Sequence, residues 1–431
     1  MRDKLNKYIL LVLAVLLTVN MFTGITNSLT LSFLIIASQL FCLRKEDSAI
    51  VFMLLGSVFG SFYAQEGVRF IGSILIWGSA VFMLKDLISY KNNWFSNFWP
   101  LCIFIFAVLI SIITTTGGNY SGEKFIAMLM NVVIYTIAFS HLALFQEKHS
   151  FGNIGLMFVL YSLFLLGYMN ELIGIKASLN SLLYSFAGFR NEINDYIAGD
   201  KDVFYINYQS IGINGCIGLI FALFSVDKTS KLFNAFVIFL SALVVWYAAA
   251  RQAILLYAII WLAYLSVYKG LKFKNLLLIL LFMVGGYTIL SSLDSQSLEF
   301  LLGSTEGKDS ARDNIMQAAM SQFYANPLMG VGFGRFHING EYGCNEHNLF
   351  VELLAEMGII GFLVFIWFAI NPLIKSYNLI KQNIQTISPF ILILLSYFLR
   401  SMVSADLRET IVILIIILCI RMSCKNKAVT I

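Results

Sequence analysis

The residues best suited to chemistry lie within residues 311–363. Arg312, Arg335 and His347 occupy a polar segment that runs directly into an apolar stretch. A histidine at the start of a helix lies near the positive end of the helix dipole, which favours its neutral form. Neutral imidazole accepts a proton, so His347 is a candidate general base. The alternative for one isolated histidine is a polar anchor at the level of the lipid headgroups.

Acidic side chains continue this polar pattern into the apolar stretch. The sequence predicts a helix that begins at His347 and Asn348, with Asn345 as its N-cap. Asn348, Glu352 and Glu356 then repeat every four residues and form one polar stripe about two turns long. Carboxylates at membrane depth are costly unless they face a cavity or meet cations. The stripe therefore predicts a polar site with nearby cations.

Four arginines are the candidate cations. Arg251 follows three alanines at a tight hairpin, and Arg400 and Arg408 flank a second hairpin near the end of the chain. Together with Arg312, such guanidinium groups can grip phosphate and neutralise a departing anion. The ordinary alternative for a lone arginine at a turn is an anchor at the membrane interface.

The helix that must carry Arg312 is predicted over residues 308–325. Its apolar side chains recur on one stripe: Ile315, Met316, Ala319, Met320 and Phe323. Arg312 lies four residues before Met316 and so projects from this stripe. We expect the helix to lie against the membrane surface, with Arg312 near the interface. Headgroup binding by a snorkelling arginine is the alternative.

A glycine-rich turn, PLMGVGFG at residues 327–334, separates that helix from the polar stripe. Glycine lets backbone approach a ligand closely and can present amides to an anion. A plain connector before a membrane helix is the commoner interpretation. The turn has no Walker lysine, so the sequence does not support nucleotide binding.

Composition places these elements in a membrane. The chain of 431 residues is 59% hydrophobic and only 12% charged, which is typical of a polytopic helical membrane protein. Lipid offers no hydrogen-bond partner to the backbone, so the spans must be helices. The expected fold is all-α: one membrane domain, residues 1–431, with about 12–14 transmembrane helices. The first apolar run lacks a convincing signal-peptidase site and is taken as a span rather than a cleaved signal.

Fourteen apolar segments are predicted to span the membrane. They are residues 8–25, 29–43, 48–63, 68–84, 98–114, 125–145, 152–174, 206–226, 232–250, 252–268, 275–292, 348–371, 388–403 and 408–422.

Basic residues orient these spans. Most of the 29 Lys and Arg residues fall in short loops on the side of the two termini, which predicts cytoplasmic termini. Two long loops, 175–206 and 293–347, then face outward, and the second carries the amphipathic helix. The net charge of +5 is on this view a topology signal, and no nucleic-acid partner is expected. The six cysteines show no zinc-ligand spacing, so neither a metal nor another cofactor is expected.

Several of these residues together resemble the O-antigen ligase/polymerase superfamily. The similarity rests on Arg251 after small residues, the S-A-R helix with Arg312, the PLMGVGFG turn, and the run HNLFVELLAEMGIIGF that begins at His347. It spans roughly residues 240–410, and the run that begins at His347 is its most specific part.

This resemblance implies a GT-C-like, polytopic glycosyltransferase that uses undecaprenyl-diphosphate-linked glycans. The implied mechanism is inverting and needs no metal. His347 would activate an acceptor hydroxyl, and Arg251 and Arg312 would stabilise the departing diphosphate. Asn348, Glu352, Glu356, Arg335, Arg400 and Arg408 are the further substrate-binding candidates.

We therefore expect a polysaccharide polymerase of the O-antigen or capsule type in the bacterial cytoplasmic membrane. Its partners would be the lipid-linked oligosaccharide, membrane lipid, a chain-length regulator and a flippase. A ligase that transfers the glycan to lipid A–core uses the same donor chemistry and is the first alternative. A multi-span transporter or flippase is the second, although the polar residues concentrate near one face rather than at the midplane of two matched halves.

Overall fold

The computed structural model describes most of the chain. The described ranges are residues 2–23, 27–56, 66–90, 97–114, 119–173, 208–225, 231–248, 250–269, 308–336, 348–402 and 406–430.

These ranges are helical throughout and contain no β-strand, so the predicted all-α class is confirmed. The helices are α1 (Arg2–Thr23), α2 (Ser28–Cys42), α3 (Lys45–Leu55), α4 (Glu66–Ser89), α5 (Trp99–Thr114), α6 (Asn119–Leu144), α7 (Phe151–Ile173), α8 (Tyr208–Leu223), α9 (Lys231–Tyr247), α10 (Arg251–Ala263), α11 (Lys308–Ala325), α12 (Leu349–Gln382), α13 (Ile384–Ser401), α14 (Leu407–Thr410) and α15 (Val412–Thr430). A π-helical turn, Tyr264–Tyr268, extends α10.

The predicted spans fall on these helices. Six helices of the described ranges are long and apolar enough to cross a membrane, and five shorter ones are apolar. The chain is thus a polytopic helical membrane protein. The amphipathic segment 308–325 is confirmed as α11. The predicted span 275–292 and the predicted loop 175–206 lie outside the described residues.

The chain divides into two compact units. Unit 1 comprises Met1–Ser79 and Glu147–Ser304, and unit 2 comprises Ala80–Gln146 and Thr305–Ile431. Each unit is therefore built from two separate stretches of sequence.

Unit 1 is organised around α7, which is buried along most of its length and packs against α1, α8 and α9. Glycines let α7 and α8 approach closely, since a Cβ on Gly155 would lie 2.8 Å from the carbonyl oxygen of Gly218. Before α7, Asp47 Oδ1 lies 3.1 Å from Nδ1 of His149, and both side chains are buried. The Asp47 carboxylate also accepts a hydrogen bond from the amide of Ser150, which ties α3 to the start of α7.

Unit 2 is organised around α15, whose residues 411–420 are all buried. α6, α12 and α13 pack against it, and α11 packs against α12. The contact between α11 and α12 has a small apolar core made of Ile315, Ala319, Phe336 and Ala355. This core fixes the amphipathic helix onto the helix that carries the predicted polar stripe.

Candidate active site in unit 2

The feature that organises the site is a break inside α12. Gly358 has φ 65° and ψ −170° in the middle of an otherwise helical run, so the helix loses some of its internal hydrogen bonds there. The freed carbonyls of Ala355 and Glu356 accept hydrogen bonds from the amides of Val331 and Gly332, each at 2.9 Å. The glycine-rich turn thus repairs the break, as membrane-buried backbone requires.

Bonds also run in the other direction across this junction. The amide of Ile359 donates to the carbonyl of Pro327 at 2.9 Å, and that of Ile360 donates to Leu328 at 3.3 Å. The turn and the helix break are therefore joined by four backbone hydrogen bonds.

Glycine is required on both sides of the junction. Gly330 has φ 68°, and a Cβ there would lie 2.4 Å from the carbonyl carbon of Glu356. A Cβ on Gly358 would lie 2.4 Å from the carbonyl carbon of Leu328. Only hydrogen atoms fit between the two backbones, which explains one glycine of the GVGFG turn and the first glycine of GIIG.

The interpretation of this turn as an amide cradle for an anion is wrong for four consecutive amides. Gly330 donates to the carbonyl of Asn326, and Val331 and Gly332 donate to α12. Phe333 donates to Oγ of Ser111 at 3.0 Å. The turn is instead a connector that binds the protein's own backbone.

The cation that meets the acidic stripe is Lys124, near the start of α6. Its Nζ lies 2.7 Å from Oε1 of Glu352 and 2.7 Å from Oε2 of Glu356. All three side chains are about 1–2% exposed. We call this arrangement the Lys124 triad.

Further contacts surround the triad. The Lys124 ammonium lies 4.8 Å from the ring centre of Phe333, a cation–π contact. Oε1 of Glu352 also accepts a hydrogen bond of 2.8 Å from the amide of Leu407. The triad therefore joins α6, α12, the glycine-rich turn and the hairpin before α15.

The hairpin holds two of the predicted cations. Arg408 Nε lies 2.5 Å from Oδ2 of Asp406, and Arg400 is paired with Glu409. Each of these two arginines therefore has a carboxylate partner.

Arg335 follows the glycine-rich turn, and the described residues give it no carboxylate partner comparable to those of Arg400 and Arg408. Its side chain is half-buried, and its Nε, like that of Arg400, is buried without a hydrogen-bond partner among the described residues. The neighbouring Phe336 anchors this part of the chain in the α11–α12 core. The backbone at Arg335 is therefore held in place, and the Nε of Arg335 is a hydrogen-bond donor that a bound anion would satisfy.

The remaining predicted residues are placed as follows. Arg312 lies in the second turn of α11, and its side chain is not among those described. His347 lies outside the described residues. Arg251 is the first residue of α10 and is half-buried, in unit 1. The structure thus brings α11, Arg335 and the start of α12 together, and their relation to Arg251 stays a prediction.

The predicted N-cap of α12 is wrong. The helix begins at Leu349, and the cap is Asn348, whose side-chain oxygen accepts hydrogen bonds from the amides of Phe350 and Val351. Asn345 lies outside the described residues. An asparagine directly before the apolar run satisfies the second and third amides of the helix, which a cap three residues earlier cannot reach.

Sequence reasoning also missed Lys124. The predicted span 125–145 begins one residue after Lys124 and so leaves it in a loop, whereas in the structure it lies within α6, in the run NYSGEKFIAMLM. A basic residue inside an amphipathic or apolar helix needs an acidic partner, and Glu352 and Glu356 were the unpaired acids at similar depth. Among the described residues, no group of three or more His, Cys, Asp or Glu side chains could hold a metal ion.

The comparison with known families agrees with this geometry. Residues 215–366 match the family model described as O-antigen ligase. The resemblance to the O-antigen ligase/polymerase superfamily is confirmed. The matched segment contains Arg251, Arg312, Arg335 and the part of α12 that includes the break at Gly358. The match indicates a function of the O-antigen ligase/polymerase type. Lys124 lies outside the segment that resembles this family. No curated protein matches the chain.

Replacement of Gly358 by alanine tests the junction between the glycine-rich turn and the break in α12. Gly358→Ala is expected to lower the thermal unfolding temperature of the purified protein in detergent, because the new Cβ would clash with Leu328. A φ of 65° with a ψ of −170° belongs to a region that essentially only glycine adopts, and it adds a cost of about 1–3 kcal/mol for a residue with a side chain. Gly78→Ala is the matched control, since nothing lies within 4 Å of its Cβ position and alanine favours a helix. Equal unfolding temperatures for Gly358→Ala and wild type would contradict the junction described above.

Replacement of Asn348 tests its capping role. Asn348→Ala is expected to destabilise the protein by about 1 kcal/mol, and Asn348→Asp by much less, because aspartate also accepts from the first amides. Thermal unfolding of both variants under the same conditions measures the difference. A protein equally stable with alanine at this position would show that the cap contributes nothing.

Proposed function

We propose that this protein is a glycosyltransferase that moves a growing polysaccharide from undecaprenyl diphosphate to a lipid-linked repeat unit at the outer face of the cytoplasmic membrane. The match over residues 215–366 supports this class of function. The observation that carries the proposal is the packing of α11 onto α12 through Ile315, Ala319, Phe336 and Ala355. It gathers the helix of Arg312, the start of α12 and the Arg335 Nε, which has no hydrogen-bond partner among the described residues, into one part of unit 2.

Charge stabilisation is the main demand of this reaction. The leaving group is a diphosphate, and guanidinium groups bind its oxygens through several charge-assisted hydrogen bonds. In the proposed site in unit 2, Arg312 and Arg335 provide this charge, and the catalytic role of Arg251 stays a prediction; the proposed mechanism needs no metal. Preorganised donors aimed at developing charge contribute most when they are held rigidly, and the docked turn holds Arg335 in this way.

The proposed chemical step is a direct displacement. The acceptor hydroxyl gives its proton to His347 while its oxygen bonds to the anomeric carbon of the donor sugar. The bond from that carbon to the diphosphate oxygen breaks, and undecaprenyl diphosphate leaves with the electron pair. Attack from the face opposite the leaving group inverts the anomeric centre.

The basic loops support the proposed orientation of the protein in the membrane. With cytoplasmic termini, α11 and the start of α12 would lie at the outer face, where a flippase would deliver the lipid-linked donor and acceptor. A chain-length regulator would then limit the number of transfers. The ligase alternative uses the same donor and the same site, and differs only in the acceptor, lipid A–core.

The catalytic assignment predicts a loss of long glycan chains. His347→Ala and Arg312→Ala, each expressed in cells that lack the gene, are expected to lower polymer formation by at least about 100-fold, the usual contribution of a general base or of a charge-stabilising donor. Lys381→Ala is the control, because Lys381 is an exposed cation near the C-terminal end of α12. Gel electrophoresis of extracted glycan measures chain length, and immunoblotting shows equal amounts of protein.

The deletion strain itself separates the two acceptors. A single repeat unit on lipid A–core indicates that a polymerase has been lost. Uncapped core together with accumulated lipid-linked polymer indicates a lost ligase. Normal chains in both His347→Ala and Arg312→Ala cells would overturn the catalytic assignment.

Cysteine labelling tests the proposed orientation. Cys344 lies in the long loop 293–347, and Cys42, Cys216, Cys419 and Cys424 are buried. Cys102 is exposed on α5, so the test is made in a Cys102→Ser background. A membrane-impermeant maleimide is expected to label this protein in intact spheroplasts and to leave it unlabelled when Cys344→Ser is added. Labelling of Cys344 only after the membrane is permeabilised would reverse the orientation.

A further inference from the structure

The Lys124 triad has no part in the chemical step proposed above. Lys124 is 1% exposed, and its ammonium already lies within hydrogen-bond distance of two carboxylates. A substrate phosphate therefore has no access to it. The segment that resembles the O-antigen ligase family also does not include it.

Because burying charged groups is costly, the distances within the Lys124 triad can vary only a little. A buried charge is tolerated only when partners replace its lost hydration. One ammonium here satisfies two carboxylates on consecutive turns of α12, and the amide of Leu407 supplies a further donor to Glu352. Movement of α6 relative to α12 by one ångström would lengthen both short contacts, so the triad fixes the two helices in one register.

Glu356 connects this register to the docked turn. Its side chain is bound to Lys124, and its backbone carbonyl accepts the hydrogen bond from Gly332. The next residue of the turn, Phe333, lies under the Lys124 ammonium. Arg335 follows two residues later, and its amide is bonded to the carbonyl of Gly332.

Glu352 connects the same register to the start of α12. It lies one helical turn after the cap residue Asn348, and the amide of Glu352 donates to the carbonyl of Asn348 at 2.9 Å. His347 is the next residue toward the N-terminus. The triad is thus joined by one backbone hydrogen bond to the turn that leads to Arg335 and by another to the cap residue Asn348.

We propose that Lys124 is a positioning residue for glycan transfer, which clamps Glu352 and Glu356 and thereby fixes the glycine-rich turn that leads to Arg335 and the start of α12, capped by Asn348, in the geometry that transfer requires. This inference rests on the proposed function. Lys124 itself touches neither donor nor acceptor. Glu352 and Glu356 act through the clamp rather than by gripping substrate.

The central test is Lys124→Met in the full-length protein, purified into lipid nanodiscs. The probe is the lipid-linked repeat unit extracted from cells that lack the gene. We expect kcat per folded molecule to fall by about 10- to 100-fold, since displacement by an ångström has an effect of this size. KM for the lipid-linked unit is expected to stay within about twofold, because the substrate contacts remain.

Lys124→Arg is the conservative variant and also the safer one for folding. It keeps the positive charge between the carboxylates but replaces a compact ammonium by a larger planar group. Its kcat is expected to lie between those of wild type and Lys124→Met, again at nearly constant KM. It is measured even if Lys124→Met gives too little folded protein.

Asp47→Asn is the matched control. Asp47 and His149 form an equally buried acid–base pair in unit 1, so this change removes a buried charge without altering the triad. The control is expected to lower the unfolding temperature and leave kcat per folded molecule unchanged.

The outcomes are distinct. Wild-type kcat per folded molecule in Lys124→Arg and in any Lys124→Met that folds would overturn the positioning role and leave only a structural one. A large rise in KM at constant kcat would overturn it in favour of direct substrate binding. If wild-type protein forms no product from the lipid-linked unit, the proposed function fails instead, whatever the variants do.

Discussion

Every backbone amide and carbonyl inside a membrane must find a partner within the protein, and unit 2 is arranged around one place where a helix stops providing them. α12 breaks at Gly358, and the turn Pro327–Gly332 supplies the missing bonds in both directions. Because the two backbones touch, the turn cannot move without exposing unsatisfied carbonyls. The position of α11, of Arg335 and of the start of α12 all follow from this junction. The Lys124 triad then fixes the junction against α6 with charge rather than with backbone hydrogen bonds.

The helices, the amphipathic segment 308–325 and the acidic stripe could be predicted from the sequence, because each depends on local periodicity and hydropathy. It also indicated that Glu352 and Glu356 need cations. It did not indicate which cation, since Lys124 is 228 residues before Glu352 in the chain and has no local pattern that marks its partner. The helix break was hidden for a similar reason. Gly358 has an ordinary place in GIIG, and only the approach of a distant turn shows why it must be glycine.

Alternatives for single residues were decided by their neighbours. The GVGFG turn had two interpretations, and the amides that an anion would need are already bonded to α12 and to Ser111. Asn348 was expected at the start of a helix as a substrate contact, and its side chain caps the helix. Among the described residues, Arg400 and Arg408 have carboxylate partners and Arg335 has none, although the Nε atoms of both Arg335 and Arg400 are buried without a hydrogen-bond partner. A list of polar residues at plausible spacing therefore contains residues whose side chains stabilise the protein's own structure as well as the candidates for the reaction.

The distance along the chain between Lys124 and its partners affects how the protein is made. The two members of the Lys124–Glu356 pair are 232 residues apart, which a ribosome translates in about 12 to 46 s at the usual 5–20 residues per second. During that interval α6 is already in the membrane while α12 has not been synthesised. Lys124 lies in the second turn of α6. It is close enough to the end of the helix for its flexible side chain to extend to the lipid headgroups until α12 is inserted. Insertion of α12 would then bring its two carboxylates to the ammonium, so that residues 305–431 complete a unit whose first stretch, residues 80–146, was synthesised earlier.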